Sequence, residues 1–126
     1  MRYMGIDYGR KRVGVALSDE NAEFAMPEVV LQNDGALYET INKLATDRGV
    51  CGIVVGESRD FSGKANKIQE DIITFKKVLE DKYGLPVHLE PEILTSREAS
   101  HIQGEGKMLD ASAAALILKS YLDNHK

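Results

Sequence analysis

The sequence predicts an α/β fold: a mixed five-stranded sheet with helices packed on it, in the order β-β-β-α-β-α-β-α-α, within a single domain over residues 1–126. Three features point there. The first third of the chain holds three strand-like runs in succession. Cys51 to Val55 is a continuous apolar run of the kind found in strands buried on both faces. Segments with apolar residues at helical spacing flank that run and alternate with a further short strand. Runs joined by short turns pair as antiparallel hairpins, and strands alternating with helices pair in parallel through right-handed crossovers. At 126 residues the chain fits one domain and buries about two-thirds of its unfolded surface.

Each element has its own local reason. Arg2 to Tyr8 reads as a strand, and Gly9-Arg10-Lys11 as a turn in which Gly9 can take positive φ. Arg12 to Ser18 is a second strand, with Val13, Val15 and Leu17 on one face and Gly14, Ala16 and Ser18 on the other. That small-residue face predicts a close neighbour. Met26 to Leu31, β-branched and apolar, is the third strand. Asn33-Asp34-Gly35 is a loop and N-cap cluster for a helix that runs to about Arg48, with Leu37, Ile41 and Leu44 on one stripe and Gly49 closing it. After the central strand, Gly56 to Ser62 is a polar loop. Gly63 to Tyr83 holds the longest helix, with Ile68, Ile72, Phe75 and Leu79 on one face. Gly84 and Pro86 end it. Val87 to Glu90 is a strand, Thr95 to about Gln103 a short helix, Gly104-Glu105-Gly106-Lys107 a mobile loop, and Asp110 to Leu122 an alanine-rich terminal helix.

Composition narrows the function classes. With 16 basic and 20 acidic residues the net charge is −4, which argues against a charge-driven nucleic-acid coat. It leaves room for a nuclease, whose acidic site itself supplies negative charge. The single cysteine, Cys51, forms no disulfide framework or cysteine zinc site within the chain. No signal-peptide run and no stretch of ~20 apolar residues is present, so the expected compartment is the reducing cytoplasm, away from membranes.

Three carboxylates occupy unusual places. Asp7 interrupts an apolar strand on the face opposite Met4, Ile6 and Tyr8, and a charge there needs a partner. Glu92 follows a strand end directly, and Asp110 opens the terminal helix on the side shared with Ala113, Ala114 and Ile117. Strand ends and helix starts meet at the carboxyl edge of a parallel sheet. Three carboxylates converging there repel one another unless a cation neutralises them, and hard oxygen ligands suit Mg²⁺ or Mn²⁺. Each residue also has a plainer reading: Asp110 as an N-cap, Glu92 as a solvated loop residue, Asp7 as a turn-side structural group. The histidines carry little: His88 reads as the wetter face of a strand, and His101 and His125 as polar ends. Cys51 reads as packing rather than as a nucleophile.

The basic residues are placed informatively. Arg10, Lys11 and Arg12 follow Asp7, Lys64 and Lys67 start the long helix, and Arg59 and Arg97 lie in adjoining segments. A ring of such groups around an acidic centre binds phosphates. Lys76, Lys77 and Lys82 read as a solvated helix face.

The run Gly5-Ile6-Asp7-Tyr8-Gly9-Arg10-Lys11-Arg12-Val13-Gly14-Val15-Ala16-Leu17-Ser18-Asp19 resembles the opening motif of the YqgF family, also called RuvX, known as pre-16S rRNA nucleases or Holliday-junction-resolvase-like proteins. The resemblance continues at Val54-Val55-Gly56 with Gly63, at Glu92-Ile93-Leu94-Thr95-Ser96, and at Asp110-Ala111-Ser112-Ala113-Ala114 ahead of Ile117-Leu118 and Tyr121-Leu122, so it spans nearly the whole chain. It implies an RNase H-like fold and a divalent-metal-dependent endonuclease whose acidic metal ligands fall on Asp7, Glu92 and Asp110. The implied task is 5′-end maturation of pre-16S rRNA in a bacterial cytoplasm. The basic residues Arg10, Lys11, Arg12, Lys64 and Arg97, read from their placement, are expected against the nucleic acid. Two departures stand out. The family usually has Asp-Glu-Arg where this chain has Pro91-Glu92-Ile93, and often has proline where Ser58 stands. The first keeps the carboxylate and removes an arginine.

Other readings compete. The same site suits a resolvase of branched DNA, which needs a homodimer to cut two strands, where a single cut in structured RNA needs only a monomer. The altered segment around Glu92 motivates a non-catalytic RNA-binding assembly or transcription factor. Gly5-Ile6-Asp7-Tyr8-Gly9 also looks like the phosphate motif of actin-like and sugar-kinase ATPases, which close two such domains around ATP where this chain has one.

Overall fold

The computed structural model describes residues 1–57, 67–91 and 109–124, with side chains at all of these positions except 67, 68, 91, 109 and 110. Side-chain alternation decides the layering. β1 (Arg2–Tyr8) and β2 (Arg12–Ser18) form an antiparallel hairpin, and β3 (Ala25–Gln32) pairs antiparallel with β2. β4 (Val50–Glu57) lies parallel to β1, and β5 (Val87–Pro91) parallel to β4. The described residues thus form a five-stranded sheet in the order β3-β2-β1-β4-β5, the mixed sheet that the sequence predicts.

The two faces carry different side chains and take different helices. Met4, Ile6, Val13, Val15, Ile53 and Val55 are fully buried on one face. They form one cluster with Leu37 and Ile41 of α1 (Leu37–Asp47) and with Ile72, Phe75 and Leu79 of α2 (Lys67–Tyr83). The other face is built of small residues and carries α3 (Leu109–Asn124), whose Ala114, Ile117 and Leu118 cluster with Ala16 and Val54. The close neighbour expected from Gly14, Ala16 and Ser18 is therefore this helix. Gly5 marks the tightest approach: a Cβ there would lie 2.6 Å from the Ala114 carbonyl oxygen and 2.7 Å from Leu118 Cβ. Only glycine lets the helix backbone rest on the central strand.

Four local expectations are corrected. Gly9 does not use positive φ; among the described glycines that conformation belongs to Gly49 and Gly84, which close α1 and α2. Gly9 is required for space instead, because a Cβ would meet the Arg12 carbonyl oxygen at 2.6 Å. The Asn33–Gly35 cluster does not cap α1 directly. Ala36 occupies the N-cap without a side-chain bond, and Asp34 Oδ1 accepts from the Ala36 N–H at 2.9 Å. Cys51 is exposed rather than packed, because the β1–β4 register shifts between Arg2 and Tyr3 and leaves it outside the core. The loop expected from Gly56 to Ser62 starts later, because β4 continues through Glu57 by pairing with β5; its remainder, the short helix over 95–103 and the 104–107 loop lie outside the described residues.

Candidate functional site at the carboxyl edge

Asp7 is half-buried at the carboxyl end of β1, on the α3 face. Gly14 stands directly across from it in β2. On the other side Gly56 comes next after the Ile6–Val55 pair. Neither glycine brings a side chain beside the Asp7 carboxyl. The strand motif therefore holds an acid between two backbone positions without side chains.

The direction of α3 brings a second acid to the same edge. The Tyr3 and Tyr121 rings meet at 5.8 Å between centroids, while Gly5 meets Ala114 and Leu118. The helix thus runs backwards along β1. Two further strand residues advance about 6.6 Å and one helical turn about 5.4 Å. Asp110, one turn before Ala114, therefore stands at the level of Asp7. The positive end of the helix dipole lies at the same edge and favours anionic groups there.

The third acid is reached through β5. Its register runs Val54–His88, Val55–Leu89, Gly56–Glu90 and Glu57–Pro91, so the strand ends at the same edge, one residue before Glu92. Glu92 itself, with Lys64 and Arg97, lies outside the described residues. The Asp110 backbone is placed in the first turn of α3. Among the described residues no three His, Cys, Asp or Glu side chains are grouped to hold a metal ion. By residue type alone, Asp7 and the aspartate at position 110 offer oxygen donors, the donor chemistry of a hard divalent cation.

Two features escaped the sequence reading. Glu57, half-buried, ends β4 between Asp7 and the end of β5. It was hidden inside what read as a polar loop, and the signal that could have found it is its position just past an apolar central run. Asn33, read as part of a cap cluster, instead pins the β1–β2 turn. Its Nδ2 donates to the Gly9 carbonyl at 2.7 Å, and its N–H donates to the Lys11 carbonyl at 3.0 Å. The turn so held presents Arg10, Lys11 and Arg12, all exposed, next to Asp7.

Several other singled-out groups have structural partners, while Arg59, His101, His125 and the Lys67 side chain lie outside the described residues. His88 is exposed, as expected for the wetter face, and stacks on Tyr121 at 5.2 Å. Lys76 pairs with Glu80 one turn on at 2.9 Å, and the Lys82 ammonium lies over the Tyr83 ring, as befits a solvated helix face. Asp19 Oδ1 accepts from the N–H groups of Glu23 and Phe24, and these bonds, that from Phe24 above all, hold its carboxyl below the ordinary value.

Comparison with known proteins identifies the family and the fold. The family model described as RuvX, Holliday junction resolvase, matches residues 1–124. A Lactobacillus helveticus protein named "Putative pre-16S rRNA nuclease" is 33% identical, with 100% of this chain and 99% of that protein covered. A Chlorobaculum tepidum protein of the same name is 34% identical over 98% of this chain and 94% of its own length. The structure of Thermus thermophilus RuvC in complex with a Holliday junction substrate superposes with a TM-score of 0.66 at 15% identity, covering 99% of this chain and 96% of that one. At that identity the likeness speaks for the fold, which is RNase H-like.

Proposed function

The chain belongs to the RuvX family, a family of Holliday junction resolvases, and from that premise we propose that it is a divalent-metal-dependent endonuclease whose substrate is the 5′ leader of pre-16S rRNA. The observation that carries the reading is the convergence of Asp7, the first turn of α3 and the end of β5 on one edge of the sheet. A carboxylate at the end of the central strand, at the edge where the first turn of α3 also lies, supports this reading.

Asp7, Glu92 and Asp110 would hold Mg²⁺ or Mn²⁺. When bound, such ions supply Lewis acidity and lower the pKa of a coordinated water for in-line attack on phosphorus. The protein's own groups do the rest. The glycines on either side of Asp7 let a phosphodiester approach the backbone. Arg10, Lys11 and Arg12, on the turn pinned by Asn33, bind the flanking phosphates and fix the register of the strand to be cut. Lys64 and Arg97 extend that positive rim in the proposal. No aromatic stacking platform is needed, since the recognised groups are phosphates rather than bases.

A single cut in RNA needs one such site, so a monomer in the bacterial cytoplasm suffices. Resolving a four-way junction needs two sites in a symmetric pair. Incubating the full chain with precursor small-subunit rRNA and with a four-way DNA junction, in Mn²⁺ or in EDTA, separates these readings. The proposal expects metal-dependent cleavage of the RNA at its 5′ leader. Cleavage of the junction alone would transfer the assignment to DNA. Binding without cleavage of either would leave an assembly factor.

A further inference from the structure

The end of the molecule away from Asp7 carries a cleft that the chemistry above does not use. Its volume is about 480 Å³, within the range of about 300–1,000 Å³ common to small-molecule sites. Tyr3, Tyr121, Ala22 and Leu122 give it aromatic and apolar walls, and Glu20 and Asn21 add a carboxylate and an amide. Tyr3 stands four residues before Asp7 on β1, about 13 Å away along the strand. The cleft is therefore separate from the carboxyl edge.

The chain's own contacts hold the walls in shape. Tyr121 is buried, meets the Tyr3 ring at 5.8 Å with a 55° tilt, and stacks on the His88 ring at 5.2 Å with 26° between the planes. The loop between β2 and β3 forms another wall, and Asp19 closes it. Its Oδ1 accepts from the Glu23 and Phe24 N–H groups, its N–H donates to the Phe24 carbonyl, and its carbonyl accepts from the Ala22 N–H. Within this loop Ala22 takes a φ of 56°, uncommon for alanine, and packs on the cluster that includes Tyr121 and Leu122. A site shaped before binding loses less freedom when its ligand arrives.

We propose that this cleft binds a guanine base. Bases stack on tyrosine rings, and Tyr3 and Tyr121 offer that surface. A carboxylate only accepts hydrogen bonds. Guanine presents two N–H donors side by side on one edge, which the Glu20 carboxylate can accept as a pair, with a ring carbonyl beside them for the Asn21 amide. A cationic ligand suits the cleft less well, because the Arg2 guanidinium already lies 4.0 Å from the Glu20 carboxylate and supplies positive charge there. The base belongs either to a free nucleotide or to a single-stranded segment of RNA. The inference does not depend on the metal-site reading.

The test is an NMR titration of the full chain with GMP, IMP and AMP, whose common phosphate meets the basic turn equally. GMP is expected to shift the ring signals of Tyr3 and Tyr121 and the methyl signals of Ala22 and Leu122. IMP keeps one of the two donors, and AMP presents an acceptor in place of the ring N–H. Both are expected to bind about tenfold or more weakly, the scale of a lost hydrogen bond to a charged group. Glu20→Gln, a change at an exposed position, keeps the melting temperature and removes the preference for GMP. Short oligouridines with and without one guanosine distinguish the sources. The same shifts at lower concentration with the guanosine-containing oligomer assign the base to RNA, and shifts with GMP alone assign it to a free nucleotide. The proposal is overturned if neither GMP nor that oligomer shifts these signals, if GMP and AMP bind equally, if Glu20→Gln keeps the wild-type preference, or if the shifts are confined to Arg10, Lys11 and Arg12.

Discussion

Asp7 shows how much one side chain's place in the strand alternation decides. Met4 and Ile6 face α1 and α2 and are wholly buried, whereas Asp7 faces α3 at the sheet edge. That alternation was legible in the sequence, since a strand's faces alternate whatever its neighbours. The identity of the neighbours was not. Asn33 looked like a helix-capping residue, yet it reaches back to the Gly9 carbonyl, a contact across 24 residues that no local pattern reports. Replacing Asn33 with Ala should cost about 1 kcal/mol in a denaturant titration, the net worth of one such hydrogen bond. It should also weaken RNA binding by freeing the turn that carries Arg10 to Arg12. Asp19 makes a pH prediction. Its folded-state pKa lies below the ordinary value of 3.8, chiefly through the Phe24 N–H. Its contribution is therefore present above that value and lost as the pH falls through the lower, folded one. An Asp19→Asn protein should lose less stability than wild type on acidification below 3.8, read from unfolding midpoints at matched pH.

At the scale of elements, most of the fold was readable because periodicity is a local property. β1 and β2 fall at their expected ends, and Ile72, Phe75 and Leu79 are buried along the α2 stripe that their spacing marked. Cys51 was misread because an apolar run does not reveal a register shift, which depends on the partner strand. The packing of α3 on the sheet turns on Gly5. A Gly5→Ala substitution puts a methyl 2.6 Å from the Ala114 oxygen and 2.7 Å from Leu118 Cβ, so helix or strand must move. Overpacking of this kind costs about 1–3 kcal/mol. The melting temperature should drop, and metal affinity with it, since the same helix sets the position of Asp110. On the opposite face Phe75 is fully buried and meets the Tyr8 ring at 4.8 Å and the Tyr38 ring at 5.5 Å. Phe75→Ala should destabilise the fold by about 3–5 kcal/mol in chemical denaturation, while leaving the α3 face and its carboxylates in place.

At the scale of the molecule, topology brings the ends of parallel strands and the start of a helix to one edge. Asp7, Glu92 and Asp110 are far apart in sequence, and the expectation that they meet came from the alternation of strands and helices, which sends parallel strand ends to one edge. The sheet order β3-β2-β1-β4-β5 puts β1, β4 and β5 side by side at that edge, and α3 returns over β1 with its first turn there. The net charge of −4 counts against a protein that coats nucleic acid, but not against one that binds phosphate through a local basic turn and metal. Weak, salt-sensitive binding with strict metal dependence is the expected behaviour. The most direct test is cleavage of precursor small-subunit rRNA in Mn²⁺ by wild type and by a folded Asp7→Asn protein of matched melting temperature. The account predicts cut 5′ leader with wild type and a rate lower by about 10²-fold or more with Asp7→Asn, the scale of losing a key electrostatic group. Equal rates for the two proteins would contradict it.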